Sequence, residues 1–420
     1  MLKLLRLYRS STSARSLAKN SGIVFTGTMA GNVIAYLYHL FLGRILGPSS
    51  YGELAALLSF LYILNAPTTV LLTILTKFFS VLKARNSIGQ AKFLWITVTK
   101  KILLYEAIGM VIILPALPYL ASFLHLNTWK YLLFLYLIFA TTILSIINTS
   151  MLQGFQKFVA TSVVPNVGGF LRLVFGILAA PFGVGSVLLS NVASNILGYF
   201  TYAPVLLTIL KTKSERIAAT QLRVREFSVP ALVATLSITA IFSQDVLLVK
   251  HFFPSYDAGI YAALSVLGKI IFFASYSVGV VFYPVVSERT EKGISSGRVV
   301  GLGLFAVACV SAGITALFFA FPSFIVQSLY GASYSDAAAL LGRFGVFLSF
   351  FSLSYLLTQL CLGENKTRVW IYTLVAASLQ TIVIFTFHTS LSQIVSVNMT
   401  FAGLLFLSLL LYYRHAKQVS

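Results

Sequence analysis

Apolar runs long enough to cross a bilayer recur along this whole chain, and no other feature restricts its fold so strongly. About 20 helical residues cover the roughly 30 Å hydrocarbon core. Twelve such runs lie near 22–44, 51–76, 102–122, 130–153, 159–181, 184–210, 228–250, 258–286, 299–322, 336–362, 367–388 and 390–413. With 58% hydrophobic residues, 10% charged residues and a mean hydropathy of +0.91, the composition excludes an ordinary soluble domain. Backbone groups in lipid must bond within their own segment, so these runs are helices and not an open sheet. The expected fold class is an all-α integral membrane protein with about twelve transmembrane helices. The first run is too long, and lacks the small-residue cleavage site, for a signal peptide.

A net charge of +20 raises the question of nucleic acid, and the placement of the charges answers it. If the spans alternate from an N-terminus inside, 24 of the 30 Lys and Arg fall in cytoplasmic segments. Only Arg44, Lys130, Arg172, Lys250, Lys269 and Arg343 fall elsewhere. This is the positive-inside bias, so the charge reports topology, with no nucleic-acid partner and both termini cytoplasmic. The basic segments also suit anionic membrane lipids. The longest of them, 77–101 and 211–227, are expected to lie as interfacial helices.

The chain reads as two copies of one unit. "GRILGPSSYGELAALLSF" (43–60) is echoed by "KHFFPSYDAGIYAALSVL" (250–267), with Gly52 on Gly259 and Arg44 on His251, 207 positions apart. "LQGFQK" (152–157) matches "CLGENK" (361–366) at an offset of 209. The expected organisation is a basic segment 1–21, an N-lobe 22–210 of six spans, a linker 211–227, a C-lobe 228–413 of six spans, and a tail 414–420. An even span number per copy keeps both copies in one orientation. The lobes should then be related by a pseudo-two-fold axis along the membrane normal.

Catalytic constellations are missing. Ten acids and five histidines are scattered, without H-E-x-x-H, a glycine-rich phosphate loop or paired carboxylates. No loop is long enough for a folded domain. The expectation is a protein that is not an enzyme and that needs neither cofactor nor metal; Cys309 and Cys361 lie within spans and suggest no disulfide framework.

Attention passes to charges at membrane depth. Arg172 and Lys269 lie near the middle of spans 5 and 8. A central charge costs at least ~2.5–3.5 kcal/mol, so each faces a wet cavity, a partner or a ligand. Pro165, Gly169, Arg172 and Gly176 share a face almost bare of bulk, and Tyr261, Ser265, Lys269, Phe272 and Tyr276 share another. A guanidinium and an ammonium among aromatic rings suit a pyrophosphate attached to sugars. The competing reading is that Arg172 pairs with Glu106 or Asp245 to lock helices. Arg343, in the outer third of span 10, faces the same choice, with Asp336 two turns away. Span 1 carries Thr28, Asn32, Tyr36, His39 and Gly43 on one stripe, and Thr28 and Asn32 align with Thr235 and Thr239. Both first helices therefore present polar groups to a central cleft, with interhelical hydrogen bonding as the alternative; His39 alone reads as structural. Asp245 and Glu106 are the candidate ion-coupling groups, Asp245 the better, because a carboxyl at membrane depth can exchange a proton or a cation.

The "GRILGPSSYGELA" turn, its echo "DAGIYAAL", the "QDVLLV" end of span 7 and "LQGFQKF" together resemble the polysaccharide-flippase (Wzx-type) branch of the multidrug/oligosaccharidyl-lipid/polysaccharide exporter superfamily. The resemblance runs from Ser21 to about Tyr413. It implies two six-helix lobes in a V, alternating access of a central cavity, and a polyprenyl-pyrophosphate-linked oligosaccharide as cargo, with polysaccharide polymerase or glycosyltransferase machinery as partners. The family supplies no fixed site motif to carry over, so the candidate substrate-binding residues are those read from the spans themselves: Arg172, Lys269, Arg343, Tyr261, Tyr276 and Asn32. Arg44 would cap span 1 or reach headgroups. The alternatives are a cation-coupled multidrug exporter, which would favour buried carboxylates, and a lipid II exporter of the same superfamily.

Overall fold

A computed structural model describes residues 12–215, 225–291, 295–364 and 366–418. Every regular element among them is helical. In chain order these are α1 (Thr12–Leu64), α2 (Ala66–Ala84), α3 (Ile88–Ile113), α4 (Leu117–Phe123), α5 (Lys130–Gly154), α6 (Phe158–Ala179), α7 (Val184–Phe200) and α8 (Ala203–Leu210) in the first half. The second half holds α9 (Arg225–Phe252), α10 (Ser255–Glu291), α11 (Gly297–Ala320), α12 (Pro322–Tyr330), α13 (Ala338–Gly363), α14 (Val369–Thr386) and α15 (Leu391–Gln418). Residues 1–11 of the basic N-terminal segment, 216–224 of the linker and 419–420 of the tail lie outside the described residues.

Among the described residues ten stretches are long and apolar enough to cross a membrane. The first of them, Gly22–Ala84, covers two expected spans. These spans divide inside α1 at Gly47, whose φ of 70° and ψ of 172° leave the helical region just before Pro48. Gly tolerates that conformation and Pro lacks the N–H a continuing helix would need, so the chain bends here. The sixth expected span is α7 followed by α8, too short individually to be counted among the ten. The total is twelve, as expected from hydropathy.

The two halves pack alike. In the first, α1 lies on α6, α2 on α5, and α7 on both α5 and α6. In the second, α9 lies on α14, α10 on α13, and α15 on both α13 and α14. The "LQGFQK" and "CLGENK" stretches close their helices identically. Lys157 N–H donates to Leu152 O at 2.9 Å and Lys366 N–H to Cys361 O at 2.9 Å, the six-to-one bond that satisfies a helix's last carbonyls.

The segment 77–101 is not a separate interfacial helix. It is the end of α2 and the start of α3, reversed at Asn86, whose positive φ of 54° lets Ser87 N–H reach Leu82 O at 3.0 Å. Asn is among the few residues that adopt this left-handed conformation readily. The described start of the linker lies along α3, where Glu215 N–H donates to Gly89 O at 3.0 Å and Lys92 Nζ to Thr212 O at 3.0 Å.

The lobes meet at the end where α1 bends. There Gly52 and Gly259 touch, and Tyr51, Tyr330 and Tyr334, all buried, cluster beside them. Tyr334 Oη donates across the lobes to Gly43 O at 2.7 Å. Away from this closed end the lobes enclose cavities.

Candidate functional site

A cavity of about 250 Å³ lies between the lobes, lined from α1, α6, α9 and α10. Its walls carry the internal repeat. Ala35 and Phe242, Tyr36 and Ser243, Leu58 and Ser265, and Tyr62 and Lys269 each line it as a pair 207 positions apart. The pseudo-two-fold axis therefore runs through the cavity. A second cavity of about 630 Å³ lies beyond it, toward the end from which the described part of α1 starts. Thr28 and Asn32 line this one together with their counterparts Thr235 and Thr239, so the polar stripes of both first helices do face the cleft.

Arg172 and Lys269 line the same central cavity, one from each lobe. Neither forms an ion pair with a carboxylate among the described residues. The competing lock of Arg172 on Glu106 or Asp245 does not form. The Arg172 guanidinium instead sits 4.2 Å above the centre of the Tyr38 ring, and Lys269 Nζ 4.5 Å from the Phe242 ring centre. The electron-rich ring face attracts a cation without cancelling its charge. Tyr38 is held by Asn191 on α7, with Tyr38 Oη donating to Oδ1 at 3.1 Å or accepting from Nδ2 at 2.8 Å. The small face around Arg172 accommodates that ring, since a Cβ on Gly176 would come within 2.7 Å of it. Phe242 is braced by Phe272 and Phe351, with ring centres 4.7 and 5.0 Å away.

His39 is the third basic group at this cavity, a residue that sequence reasoning set aside. It lies within electrostatic reach of both Arg172 and Lys269, and its Nδ1 is 3.2 Å from Tyr51 Oη. Among the described residues no carboxylate lines the cavity. Five lining residues carry a buried polar atom with no partner: Arg172 Nε, Tyr36 Oη, Asn65 Oδ1, Ser243 Oγ and Ser265 Oγ. Buried polar groups are normally satisfied, so this concentration marks a place built to receive polar matter, water or a ligand.

Asp245 lies beside this cavity but inside the C-lobe. It is fully buried, accepting from Tyr261 Oη at 2.6 Å, Asn398 Nδ2 at 3.0 Å and Val246 N–H at 2.9 Å. Asn398 Oδ1 accepts from Gln380 Nε2 at 2.6 Å, and Gln380 Oε1 from Gln244 Nε2 at 2.9 Å. Lys269 lies within electrostatic reach of Asp245. The N-lobe cluster is the counterpart of this one. Tyr38 stands 207 positions before Asp245, Asn191 207 before Asn398, and Arg172 208 before Gln380. Two equivalent polar clusters have thus become opposite in charge. The asparagine pair at the repeat offset was the signal in the sequence that could have revealed them.

The other candidates separate. Tyr261 is not a cavity residue; it is fully buried and spends its hydroxyl on Asp245. Arg343 is not one either, because its guanidinium donates to Ser392 Oγ at 2.8 Å and to Ser396 Oγ, tying α13 to α15. Asp336 instead accepts from Tyr256 Oη at 3.3 Å. Tyr276 and Asn32 line the larger cavity, away from Arg172 and Lys269. Glu106 belongs to α3, whose neighbouring residues Leu103, Leu104, Tyr105 and Ile108 are exposed, and it lines neither cavity. Arg44 reaches the opposite lobe and not headgroups, donating from Nε to Leu329 O at 2.7 Å. Among the described residues no group of three or more His, Cys, Asp or Glu gathers as a metal site.

Two six-helix lobes around a cavity on their pseudo-two-fold axis make the fold that of a multi-pass membrane protein. The chain is similar to a multidrug resistance MATE family transporter of the MOP superfamily in its inward-facing conformation, with a TM-score of 0.69, 14% identity, and coverage of 93% of this chain and 96% of that one. It is also similar to an outward-facing MATE transporter of that superfamily, with a TM-score of 0.64, 16% identity, and coverage of 96% and 97%. A third similar structure is a MOP superfamily transporter from Pyrococcus furiosus, described as having a binding pocket of reverse polarity that suggests a different function (TM-score 0.64, 16% identity, coverage 95% and 96%). Identities this low carry the fold alone. No protein-family model and no curated protein matches the chain.

Proposed function

We propose that this protein exports a lipid-linked glycan, a polyprenyl-pyrophosphate-linked oligosaccharide, across the cytoplasmic membrane by alternating access. The observation that carries the reading is the pairing of Arg172 and Lys269 at one cavity, each seated on an aromatic ring and neither in an ion pair with a carboxylate among the described residues. A pyrophosphate bridging them would hold the lobes together in one conformation and not in the other, which is how a ligand shifts a two-state equilibrium. Unpartnered hydroxyls of Ser243, Ser265 and Tyr36 supply further donors. Tyr276 and Asn32 in the larger cavity suit the first sugars, where aromatic faces and amides recognise carbohydrate. Basic segments at the end carrying the termini would hold that end at the cytoplasmic face and attract anionic lipids.

The second reading is a cation-coupled multidrug exporter, and the buried Asp245 cluster favours it. The two readings share one coupling group: Asp245 takes up a proton or cation while the cavity empties. They differ in cargo charge. Binding of a fluorescent polyprenyl pyrophosphate and of a cationic dye to the full-length protein in nanodiscs separates them. Saturable binding of the pyrophosphate, lost in Arg172→Ala, supports the first; binding of the cation alone overturns it. Polyprenol-linked glycan retained on the inner leaflet after gene deletion is the cellular counterpart.

A further inference from the structure

The two cavities adjoin, and their walls differ in charge. Tyr62 and Phe273 line both, so a cargo seated on Arg172 and Lys269 can extend from the smaller into the larger. The larger, of about 630 Å³, is within the ~300–1,000 Å³ range of small-molecule sites. Among the described residues no Asp, Glu, Lys, Arg or His lines it. The change of chemistry falls on the repeat itself, since Tyr62 and Lys269 are counterparts 207 positions apart.

Much of what the larger cavity offers is lone pairs. Thr28 Oγ1 donates to Val24 O at 2.9 Å, Thr69 Oγ1 to Ala66 O at 2.8 Å and Thr73 Oγ1 to Thr69 O at 3.0 Å. A hydroxyl has one proton and two lone pairs. Each of these threonines has therefore spent its proton on its own helix and has only acceptor capacity left for a cargo. The donors are neutral. They include Asn32 Nδ2, buried and without a partner, and the amide of Gln359. Tyr276 and Tyr355, with ring centres 5.9 Å apart, add aromatic surface.

We propose that this larger cavity is a selectivity site for uncharged sugars, hexoses and N-acetylhexosamines, and that it discriminates against hexuronic acids. The proposal rests on the reading above that a pyrophosphate-linked glycan is the cargo. Sugar hydroxyls and acetamido N–H groups donate to the threonine oxygens, while sugar oxygens accept from Asn32. A carboxylate only accepts, so at the threonines it meets lone pairs, and no cation stands beside it. Nor can it draw on the adjoining cavity. A pyrophosphate diester carries one negative charge on each phosphate, which matches Arg172 and Lys269, and once bound it repels a second anion next to it. An ion moved from water into such a cavity loses hydration that nothing there replaces, a cost that neutral hydroxyls escape by pairing.

The test measures equilibrium binding to the full-length protein in nanodiscs at neutral pH, where a uronic acid is ionised. Three probes share one polyprenol: the polyprenyl pyrophosphate alone, the same lipid carrying N-acetylglucosamine and glucose, and the same lipid carrying N-acetylglucosamine and glucuronic acid. The glucose probe should bind at least about tenfold more tightly than the glucuronic acid probe. Gln359→Lys places a cation in the larger cavity and should narrow that ratio by strengthening binding of the acidic probe. Thr73→Lys is the second variant should the first not fold. Equal binding of the two glycan probes, or tighter binding of the acidic one, overturns the selectivity and leaves the cargo reading standing. A ratio unchanged in both lysine variants overturns the assignment of the selectivity to this cavity. Binding of none of the three probes overturns the cargo reading, and the proposal with it.

Discussion

Gly52 and Gly259, equivalent residues of the two halves, pack against each other where the lobes meet. A Cβ on Gly52 would stand 2.6 Å from the Gly259 nitrogen, and one on Gly259 would overlap the carbonyl of Pro48. A motif present twice in the chain thus meets its own copy in space. Contact between equivalent residues places them beside the pseudo-two-fold axis, and the missing side chains let two backbones close the cleft.

Gly259→Ala should therefore pry the closed end open. Overpacking of this kind costs about 1–3 kcal/mol, roughly 5–150-fold in the closed-to-open ratio. Labelling of a cysteine introduced at His39, in a cysteine-free background, measures it from the closed side. Gly313→Ala, where a Cβ meets nothing within 4 Å, is the control and should leave labelling unchanged.

Loss of the Arg172 side chain should weaken binding of a pyrophosphate ligand by about 10–150-fold, the equivalent of ~1.5–3 kcal/mol for a charge-assisted contact. Arg172→Lys should retain part of the affinity, because charge is the first requirement and the planar fork the second. Since Arg172 has no carboxylate partner, neither substitution should lower the melting temperature much. Calorimetry and thermal unfolding of the same preparations check both halves of the expectation.

Arg343→Ala should show the opposite pattern. The guanidinium ties α13 to α15 through Ser392 and Ser396, so its loss should cost stability, about 1–2 kcal/mol by membrane hydrogen-bond values. Protein that still folds should bind ligand as wild type does. A drop in affinity without a change in melting temperature would return Arg343 to the site.

Asp245→Asn should preserve insertion and much of the buried cluster, because a side-chain carbonyl can still accept from Tyr261 and Asn398. It should remove the dependence of transport on an ion gradient, measured in proteoliposomes with and without the gradient. Glu106→Gln, at a helix lining neither cavity, should leave the dependence intact.

Both termini should be protected from impermeant labels added outside intact cells, and should react once the membrane is opened. A cysteine placed at Ser49, by the bend in α1, should behave in the opposite way. This follows from 24 of 30 Lys and Arg lying in one set of alternate segments.

The twelve spans and the doubled organisation were legible in the sequence. Hydropathy is a local property, and a bilayer demands that each segment satisfy its own backbone, so span count needs no knowledge of neighbours. Partners are another matter. Whether Arg172 met a carboxylate or a ring depended on the rotation and pairing of helices far apart in the chain, and Tyr38 and its anchor Asn191 are 153 positions apart. Arg343 looked like a cavity cation because its tethers are two serines, a residue type too common to announce a role. Tyr261 shared a helical face with Lys269, yet Asp245 and Asn398, from helices α9 and α15, drew its hydroxyl into the lobe. His39, passed over as a lone histidine, became a cavity residue only when α6 and α10 brought their cations to either side of it. A sequence states which polar groups fall in the middle of apolar runs; the packing of the helices settles which of them are spent on each other and which are left facing a cavity.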